Sequence, residues 1–362
     1  MKQRIYLAIW TIVVPFFAWL AYFGISIGLK GGLFHTLLAL LLIGSVLAAV
    51  HHAEVVAHHV GEPFGTFLLA LAITIIEVAL IVSLMLTDGG RGTAALARDT
   101  VLAAVMIILN GIVGICLLVG AARYKEQTFS LQGVSAALVT LTAILVFTLI
   151  LPNFTISGPG AEYSPVQLGV VALVCLILYI AFILVQSIRH RAFFLPPDAD
   201  GNEEVYAEPP NKKETTISAF LLLLCLSIVV LLAKALAPDI ERNVANAGAP
   251  KSLVGVIIAA VVLLPEGLAA YRAARKNRIQ TSLNLALGSA LASIGLTIPA
   301  VSVVSIITGM RITLGIDVKT MVLLVLTLFT IMLSLATGRT NILQGIVLLM
   351  IFLVYIFTII VP

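Results

Sequence analysis

Residues 64–86 read FGTFLLALAITIIEVALIVSLML, an apolar segment that carries one carboxylate, Glu77, near its middle. Residues 253–271 read LVGVIIAAVVLLPEGLAAY and also carry one carboxylate, Glu266. An ionised carboxylate near the centre of a bilayer costs about 2.5–3.5 kcal/mol or more. A chain that keeps two such groups is predicted to use them on a cation or a proton. The alternative is a pair of carboxyls that stay neutral or pair with neighbouring helices.

The composition places the chain in a membrane. Hydrophobic residues make up 61% of the sequence and charged residues 10%, whereas soluble domains carry about 25% charged residues. The net charge of +4 does not point to nucleic acid, because the basic residues fall in short loops, where they orient a chain in the bilayer. We expect membrane lipid and transported ions as partners, and no cofactor.

Three further observations narrow the class of protein. Cys116, Cys175 and Cys225 lie in apolar segments without CxxC spacing, which is typical of reduced thiols that pack as small hydrophobes. The uncharged run at 5–28 is too long for a signal peptide and is predicted to be a retained first span. No GxxxxGK[ST] motif occurs, so ATP is not expected to be a direct fuel, and the chain is not expected to be an enzyme.

Apolar windows of about 20 residues predict an all-α polytopic membrane protein with about eleven transmembrane helices. They cover residues 5–28, 33–58, 64–87, 100–121, 131–151, 165–187, 216–237, 253–271, 281–309, 319–336 and 341–361. Most of the 21 Lys and Arg residues fall in loops that are cytoplasmic if the N-terminus is inside, so the C-terminus is predicted to be external. Short loops and the lack of an organellar targeting segment favour a bacterial inner membrane.

One long polar stretch, His190–Thr215, divides the spans into two sets of five. Its Pro, Gly and acidic residues predict a flexible cytoplasmic spacer, with cation attraction as the alternative. An odd number of spans per set makes the two halves enter the membrane in opposite directions, as in the inverted repeats of secondary transporters. The predicted organisation is a leading helix at 1–30, a first repeat at 31–188, an acidic linker at 189–215 and a second repeat at 216–362.

Glu77 and Glu266 lie on the second span of their respective halves, so a pseudo-two-fold axis would bring them together at the midplane. Pro265, directly before Glu266, predicts a broken helix with free carbonyl oxygens beside the carboxylate, the alternative being a packing kink.

Oxygen-bearing side chains accompany the two carboxylates. Thr74 lies one turn before the first, Ser289 and Ser293 follow each other at helical spacing after the second, and Asn110 is the amide of the corresponding span in the first half. Ordinary helix packing and back-bonding to the helix are the alternatives. The predicted cation- and proton-binding residues are Glu77, Glu266, Asn110, Ser289, Ser293 and Thr74.

The second span ends in HHAEVVAHHVGEP, residues 51–63. His51, Glu54, His58 and Glu62 share one helical face, which predicts a proton relay or pH sensor. A metal site and an interfacial polar cap are the alternatives. The absence of HExxH makes a zinc hydrolase a weak interpretation.

Longer stretches around both carboxylates resemble the two α-repeats of the calcium/cation antiporters. They are GEPFGTFLLALAITIIEVALIVSLML at 61–86 and LLPEGLAAYRAARKNRIQTSLNLALGSALASIGLTIP at 263–299. ATGRTNILQGIVLLMIFLVY at 336–355 is similar to the family's last span. The chain most resembles the ChaA-type branch of the calcium/proton exchangers, which also contains sodium- and potassium-exporting members.

The resemblance places the acidic ends of the family's paired GNxxE motifs on Glu77 and Glu266. Several motif positions differ, however: the Gly and Asn become Ile73 and Thr74 in the first half, and Val262 and Leu263 in the second. The GS pair of the second repeat is kept as Gly288 and Ser289, whereas that of the first becomes Val105 and Met106. Fewer oxygen ligands favour calcium less and leave sodium or potassium open.

The expected function is a secondary active antiporter that exports Ca²⁺ and/or Na⁺ (K⁺) in exchange for protons. The alternatives are a cation channel, which needs no titrating carboxylate pair, and an intramembrane metallohydrolase that uses the face of His51, Glu54 and His58.

Overall fold

The computed structural model confirms the all-α class. It describes residues 8–29, 31–60, 72, 74–75, 77–79, 81–82, 94–155, 160–195, 211–246, 248, 250 and 252–361. Within these ranges there are nine helices long and apolar enough to cross a membrane, and a shorter leading helix. The third predicted span lies largely outside the described residues, and those of its residues that are described are helical.

The helices follow the predicted spans closely. They are α1 (Trp10–Ser26), α2 (Gly32–Val60), α3 (Leu96–Tyr124), α4 (Leu131–Phe154), α5 (Pro165–Arg189), α6 (Lys212–Asn246), α7 (Ser252–Arg275), α8 (Ile279–Thr308), α9 (Val318–Leu335) and α10 (Ile342–Ile360). α3 contains a π-helical turn at Ile107–Ile112, and α4 contains one at Val146–Ile150. Such turns add a residue to the helix and often occur at functional sites.

The helices form two compact units that differ from the predicted sequence repeats. The first unit comprises residues 1–84 and 200–246, and the second comprises 85–199 and 247–362. Each unit therefore contains helices from both predicted repeats. The boundaries of the repeats themselves stay a prediction.

In the first unit, α2 packs along both α1 and α6. α2 and α6 open the two predicted repeats. At one end of this pair, His35 Nδ1 on α2 lies 3.5 Å from Asp239 Oδ2 on α6. On α2, His52 is fully buried and donates from Nε2 to the carbonyl oxygen of Thr11 on α1, at 3.2 Å. Polar contacts thus fix α2 to both of its neighbours.

In the second unit, α3 is the most buried span and α8 follows it. α3 contacts α7 and α10, and α8 contacts α4, α5 and α7. Cys116, Cys175 and Cys225 of the two units are buried and free, as the sequence predicted.

A polar cluster joins the loops of the second unit at the membrane end where α5 ends. The backbone of Gln127 exchanges hydrogen bonds with Thr340, donating to Oγ1 at 3.1 Å and accepting from its N–H at 3.0 Å. The Gln127 side chain donates to Asn277 Oδ1 at 2.8 Å. These hydrogen bonds hold together three loops that are far apart in sequence. They also give partners to backbone groups that would otherwise be unpaired away from water.

α3 and α10 approach closely where glycines face each other. A Cβ added to Gly345 would lie 2.5 Å from the Leu118 nitrogen and 2.8 Å from the Gly114 carbonyl oxygen, both of them backbone atoms. Such small-residue contacts are the usual means of close helix packing in membranes.

We expect Gly345→Ala to destabilise the protein by about 1–3 kcal/mol, because the new methyl group must push α3 and α10 apart. Gly169→Ala on α5 is the matched control, since its Cβ would meet only Ile306 Cδ1, at 3.9 Å. That control should be neutral or stabilising by about 0.5–1 kcal/mol. Thermal unfolding of both variants in detergent measures the difference; equal melting temperatures would contradict the close contact.

The α9 and α10 helices begin with side-chain caps of different chemistry. Asp317 accepts hydrogen bonds from the Thr320 amide, at 3.2 Å, and from the Thr320 hydroxyl. Burial alone would raise the pKa of the Asp317 carboxyl, but the Thr320 hydrogen bonds and the Lys319 charge outweigh it and hold this pKa below its ordinary value. Asn341 caps α10 through a reciprocal bond pair with Gln344.

Asp317→Ala should lower stability by about 1 kcal/mol at neutral pH, as loss of an N-cap does. Because the folded-state pKa lies below the unfolded value of about 3.9, this contribution is present above that pH and is lost as pH falls through the folded pKa. Asn341→Ala should cost a similar amount at every pH, since an amide does not titrate. Unfolding at neutral and acidic pH tests this; a pH-independent cost for Asp317→Ala would contradict it.

Candidate functional site

Glu266 lies in the middle of α7 in the second unit. The predicted broken helix at Pro265 is wrong: α7 is continuous from Ser252 to Arg275 with this proline inside it. Proline removes only one backbone donor, that for the Val261 carbonyl, and the remaining hydrogen bonds of the helix hold its course. The helix therefore leaves one carbonyl oxygen, that of Val261, without its helical hydrogen bond, and no segment is unwound.

The residue after the carboxylate brings α7 against the π turn of α3. A Cβ on Gly267 would lie 3.2 Å from Ile112 Cδ1, so the glycine permits this close contact. Glu266 thus lies on a helix that packs directly on the turn containing Asn110.

α8 supplies hydroxyl groups on the same side of the unit. The Ser289 hydroxyl lies 3.5 Å from Glu266 Oε1, at the outer limit of a hydrogen bond, and both side chains are half-buried. One turn further on, Ser293 is 4% exposed, and Thr297 follows fully buried. The structure therefore brings Ser289 to the carboxylate and buries Ser293 and Thr297 within the helix packing.

Asn110 is fully buried in the π turn of α3. Its amide nitrogen donates to Thr327 Oγ1 on α9, at 3.0 Å, and lies 3.7 Å from Met106 Sδ. No donor in the described part of the chain reaches its carbonyl oxygen. Nothing in the sequence singled out Thr327, because α9 carries four hydroxyl residues: Thr320, Thr327, Thr330 and Ser334.

Glu77 lies in the first unit, inside the third apolar segment. Its side chain is 4% exposed, and that of Thr74, one turn earlier, is 3% exposed. Both described residues are helical and three apart, a spacing that places side chains on one helical face. A carboxyl buried this deeply in an apolar span needs a proton, a cation or a polar neighbour to offset the loss of water.

The histidine-rich face of α2 is less buried than the carboxylates. His51 is half-buried beside the Trp10 ring, at 6.2 Å between centroids, whereas Glu54 and His58 are exposed. Glu62 lies outside the described residues. Among the residues that are described, no group of three or more His, Cys, Asp or Glu side chains could hold a metal ion. His52, which the sequence analysis did not single out, is the histidine that α2 buries.

A second cluster of charges lies at the other membrane end of the second unit, opposite the end of α5. It lines a cavity of about 230 Å³ together with Tyr355. Arg98 donates to Asp99 Oδ1 at 2.8 Å and to the Gly315 carbonyl at 2.9 Å, so the half-buried Asp99 carboxylate is paired with its neighbour. Asp317, in the same cavity, is the helix cap described above. Both acids therefore have structural partners at this end of the unit.

The chain is similar to known ion transporters and exchangers. Residues 31–188 and 217–361 match the family model described as sodium/calcium exchanger protein. The chain is 47% identical to y4hA of Sinorhizobium fredii, provisionally named an ionic transporter, over 87% of this chain and 85% of that protein. It is 34% identical to the sodium-potassium/proton antiporter ChaA of Escherichia coli, over 89% of this chain and 88% of that protein.

A solved structure shares the fold. The H⁺/Ca²⁺ exchanger CAX superposes with a TM-score of 0.72 at 15% identity, covering 96% of this chain and 87% of that one. At this level of identity the likeness concerns the fold, and it matches the all-helical architecture derived above.

Proposed function

The chain belongs to the sodium/calcium exchanger protein family, and from that premise we propose that it is a secondary active antiporter that exports Ca²⁺ and/or Na⁺ (K⁺) in exchange for protons. The observation that carries the proposal is the placement of one carboxylate in an apolar span of each half, Glu77 and Glu266. The names of its relatives support the same chemistry, since the Escherichia coli relative is a sodium-potassium/proton antiporter.

Coupling follows from competition at these carboxylates. A proton on either group removes the negative charge that attracts a cation, and a bound cation holds the carboxylate ionised. Each carboxylate is therefore occupied by a proton or a cation, but not by both. Binding of one ion on one side and the other on the opposite side then links the two fluxes.

The neutral oxygens of the site bear on the choice of cation. Ser289 lies beside Glu266, Asn110 has a buried carbonyl without a donor among the described residues, and Thr74 lies one turn from Glu77. Calcium takes six to eight oxygen ligands. Carboxylates with few side-chain oxygens beside them can serve Ca²⁺ only with waters or carbonyl groups, and suit Na⁺ or K⁺ more readily.

The protein is a multi-pass membrane protein. Within the proposal, it lies in a cell inner membrane with its N-terminus in the cytoplasm and its C-terminus outside. The acidic linker is then cytoplasmic. An inward proton gradient drives the cation outwards.

No observation favours the two alternatives. A channel does not need titrating carboxylates in both halves. A metallohydrolase would need several metal ligands close together. The described residues contain no such group, and Glu54 and His58 are exposed. The relatives reported above carry the names of transporters and exchangers.

Replacement of either carboxyl by its neutral isostere should abolish exchange. In proteoliposomes with an imposed pH gradient and an internal fluorescent pH reporter, NaCl, KCl and CaCl₂ are added separately. The wild type should dissipate the gradient with at least one of them, whereas Glu77→Gln and Glu266→Gln should match protein-free vesicles.

Glu126→Gln is the matched control, because Glu126 lies in an exposed loop 3.7 Å from Arg339. It should exchange at the wild-type rate. Retained proton-coupled exchange in either carboxamide variant would refute the central role of the carboxylates, and cation flux without proton movement would favour the channel.

The face of His51, Glu54, His58 and Glu62 stays a prediction of a proton relay. Its exposed members can exchange protons with water, and histidine titrates between about pH 5 and 8. We expect His51→Gln and His58→Gln to shift the pH at half-maximal exchange without changing the apparent affinity for the cation.

The same vesicle experiment repeated across that pH range measures the shift. His190→Gln, in the segment that follows α5, serves as the control. An unchanged pH profile in both variants would reduce this face to a polar cap of the helix.

A further inference from the structure

Three side chains from two helices form a closed polar cluster in the core of the second unit. Asn110 and Met106 lie on α3, and Thr327 lies on α9, 217 residues away from the asparagine. All three are fully buried. Polar groups buried this completely in a membrane protein need partners, so their hydrogen bonds can be counted one by one.

Every donor in the cluster has an acceptor within it. The Asn110 amide nitrogen has two protons; one faces Thr327 Oγ1 at 3.0 Å and the other faces Met106 Sδ at 3.7 Å. The Thr327 hydroxyl donates in turn to Met106 Sδ at 3.6 Å. What remains is one acceptor, the Asn110 carbonyl oxygen, which no donor reaches in the part of the chain that the structure describes.

The arrangement settles which end of the amide can meet an ion. An asparagine free to rotate presents its NH₂ group as readily as its oxygen, and an NH₂ group repels a cation. Thr327 and Met106 together accept both amide protons, so rotation by 180° would leave both protons without these acceptors and gain only one hydrogen bond, from the Thr327 hydroxyl to the oxygen. The carbonyl oxygen is thereby fixed on the side away from α9.

We propose that Thr327 and Met106 are positioning residues that hold the Asn110 amide so that its carbonyl oxygen faces the transported cation. The inference rests on the proposed function and deepens it. Asn110 lies in the π turn whose Ile112 contacts Gly267, the neighbour of Glu266, so the oriented oxygen belongs to the turn on which the carboxylate helix packs.

The proposal also explains a departure from the family pattern. Met106 occupies the position at which the resemblance leads us to expect a hydroxyl. A thioether is a soft ligand and does not serve Na⁺, K⁺ or Ca²⁺. Here its sulfur accepts from the amide and the hydroxyl instead, so the position acts on the cation through Asn110.

A cluster that served helix packing alone would behave differently. Polar contacts between membrane helices commonly add stability without a role in binding. Loss of such a contact lowers the melting temperature but leaves the apparent affinity for the ion unchanged. Loss of an orienting partner weakens ion binding, by about tenfold in typical metal sites.

The test is Thr327→Val, which removes the hydroxyl and keeps the shape. Two quantities are measured with NaCl, KCl and CaCl₂ in turn: the apparent KM for exchange in proteoliposomes, and the cation concentration that gives half of the maximal Tm increase in detergent. Both should rise about tenfold for the cation that the wild type prefers. The maximal exchange rate should change much less.

Three companion variants separate orientation from packing. Thr327→Ser keeps the hydroxyl and should restore the wild-type affinity, while Met106→Leu removes only the weak sulfur acceptor and should give a smaller loss. Thr148→Val is the matched control, since Thr148 is also fully buried but donates to its own helix, to the Ile144 carbonyl at 2.7 Å. This control should lose stability at most.

Asn110→Asp supplies the sharpest comparison, because a carboxylate has two equivalent oxygens and needs no orientation. In that background, Thr327→Val should change the half-saturating cation concentration by less than about twofold, a sign that the two residues act through one another.

The outcomes are distinct. An unchanged affinity in Thr327→Val, or an equal loss in Thr148→Val, overturns the positioning role while leaving the antiporter standing. Cation binding without proton exchange in the wild type, weakened in Thr327→Val, refutes the antiporter and supports the positioning role. A wild type that neither binds nor exchanges any of the three cations overturns both.

Discussion

The hydrocarbon core of a bilayer contains no water to satisfy a peptide group or a charge, and the rest of this structure follows from that constraint. Every described span is helical, because only a helix satisfies its own backbone in lipid. The same constraint makes an ionised carboxylate in such a span energetically costly. Arg98 neutralises Asp99 near a helix end, whereas Glu77 and Glu266 lie deep in apolar segments. Asp99 and Asp317, at the ends of helices, have structural partners, and the proposed chemistry rests on the two acids in the middle of spans.

Close packing without a hydrophobic driving force depends on small residues and on polar pairs. Glycines let α10 approach α3 and let α7 approach the π turn of α3. Polar groups then fix the contacts, as Gln127 does between loops and as Thr327 does in the core. The π turn at Ile107–Ile112 makes both kinds of contact. Its Ile112 packs against Gly267 of α7, and its Asn110 amide donates to Thr327 of α9.

The sequence predicted the spans well, because hydropathy reports directly on the bilayer. Glu77 and Glu266 could be picked out as candidates because a lone charge in an apolar run is visible without a structure; their role stays a prediction. It failed where the partner lies far along the chain. Thr327 gains its role only from Asn110, and His52 gains its burial from Thr11 on another helix. The broken helix expected at Pro265 did not appear, because the loss of one hydrogen bond is too small to unwind a packed span. The exposure of Glu54 and His58 likewise depends on which face of α2 its neighbours cover.

The charge of the proposed site limits what it can exchange. Two carboxylates accept at most two protons, so the groups that release a cation can carry no more than two protons in return. One Ca²⁺ carries as much charge as two protons, and one Na⁺ or K⁺ carries as much as a single proton. The oriented carbonyl of Asn110 adds a dipole but no charge, so it can favour one cation over another without altering this balance. Selectivity and stoichiometry would then be set by different residues. Neutral oxygens such as that of Asn110 would determine which cation binds, and Glu77 and Glu266 would limit the number of protons exchanged.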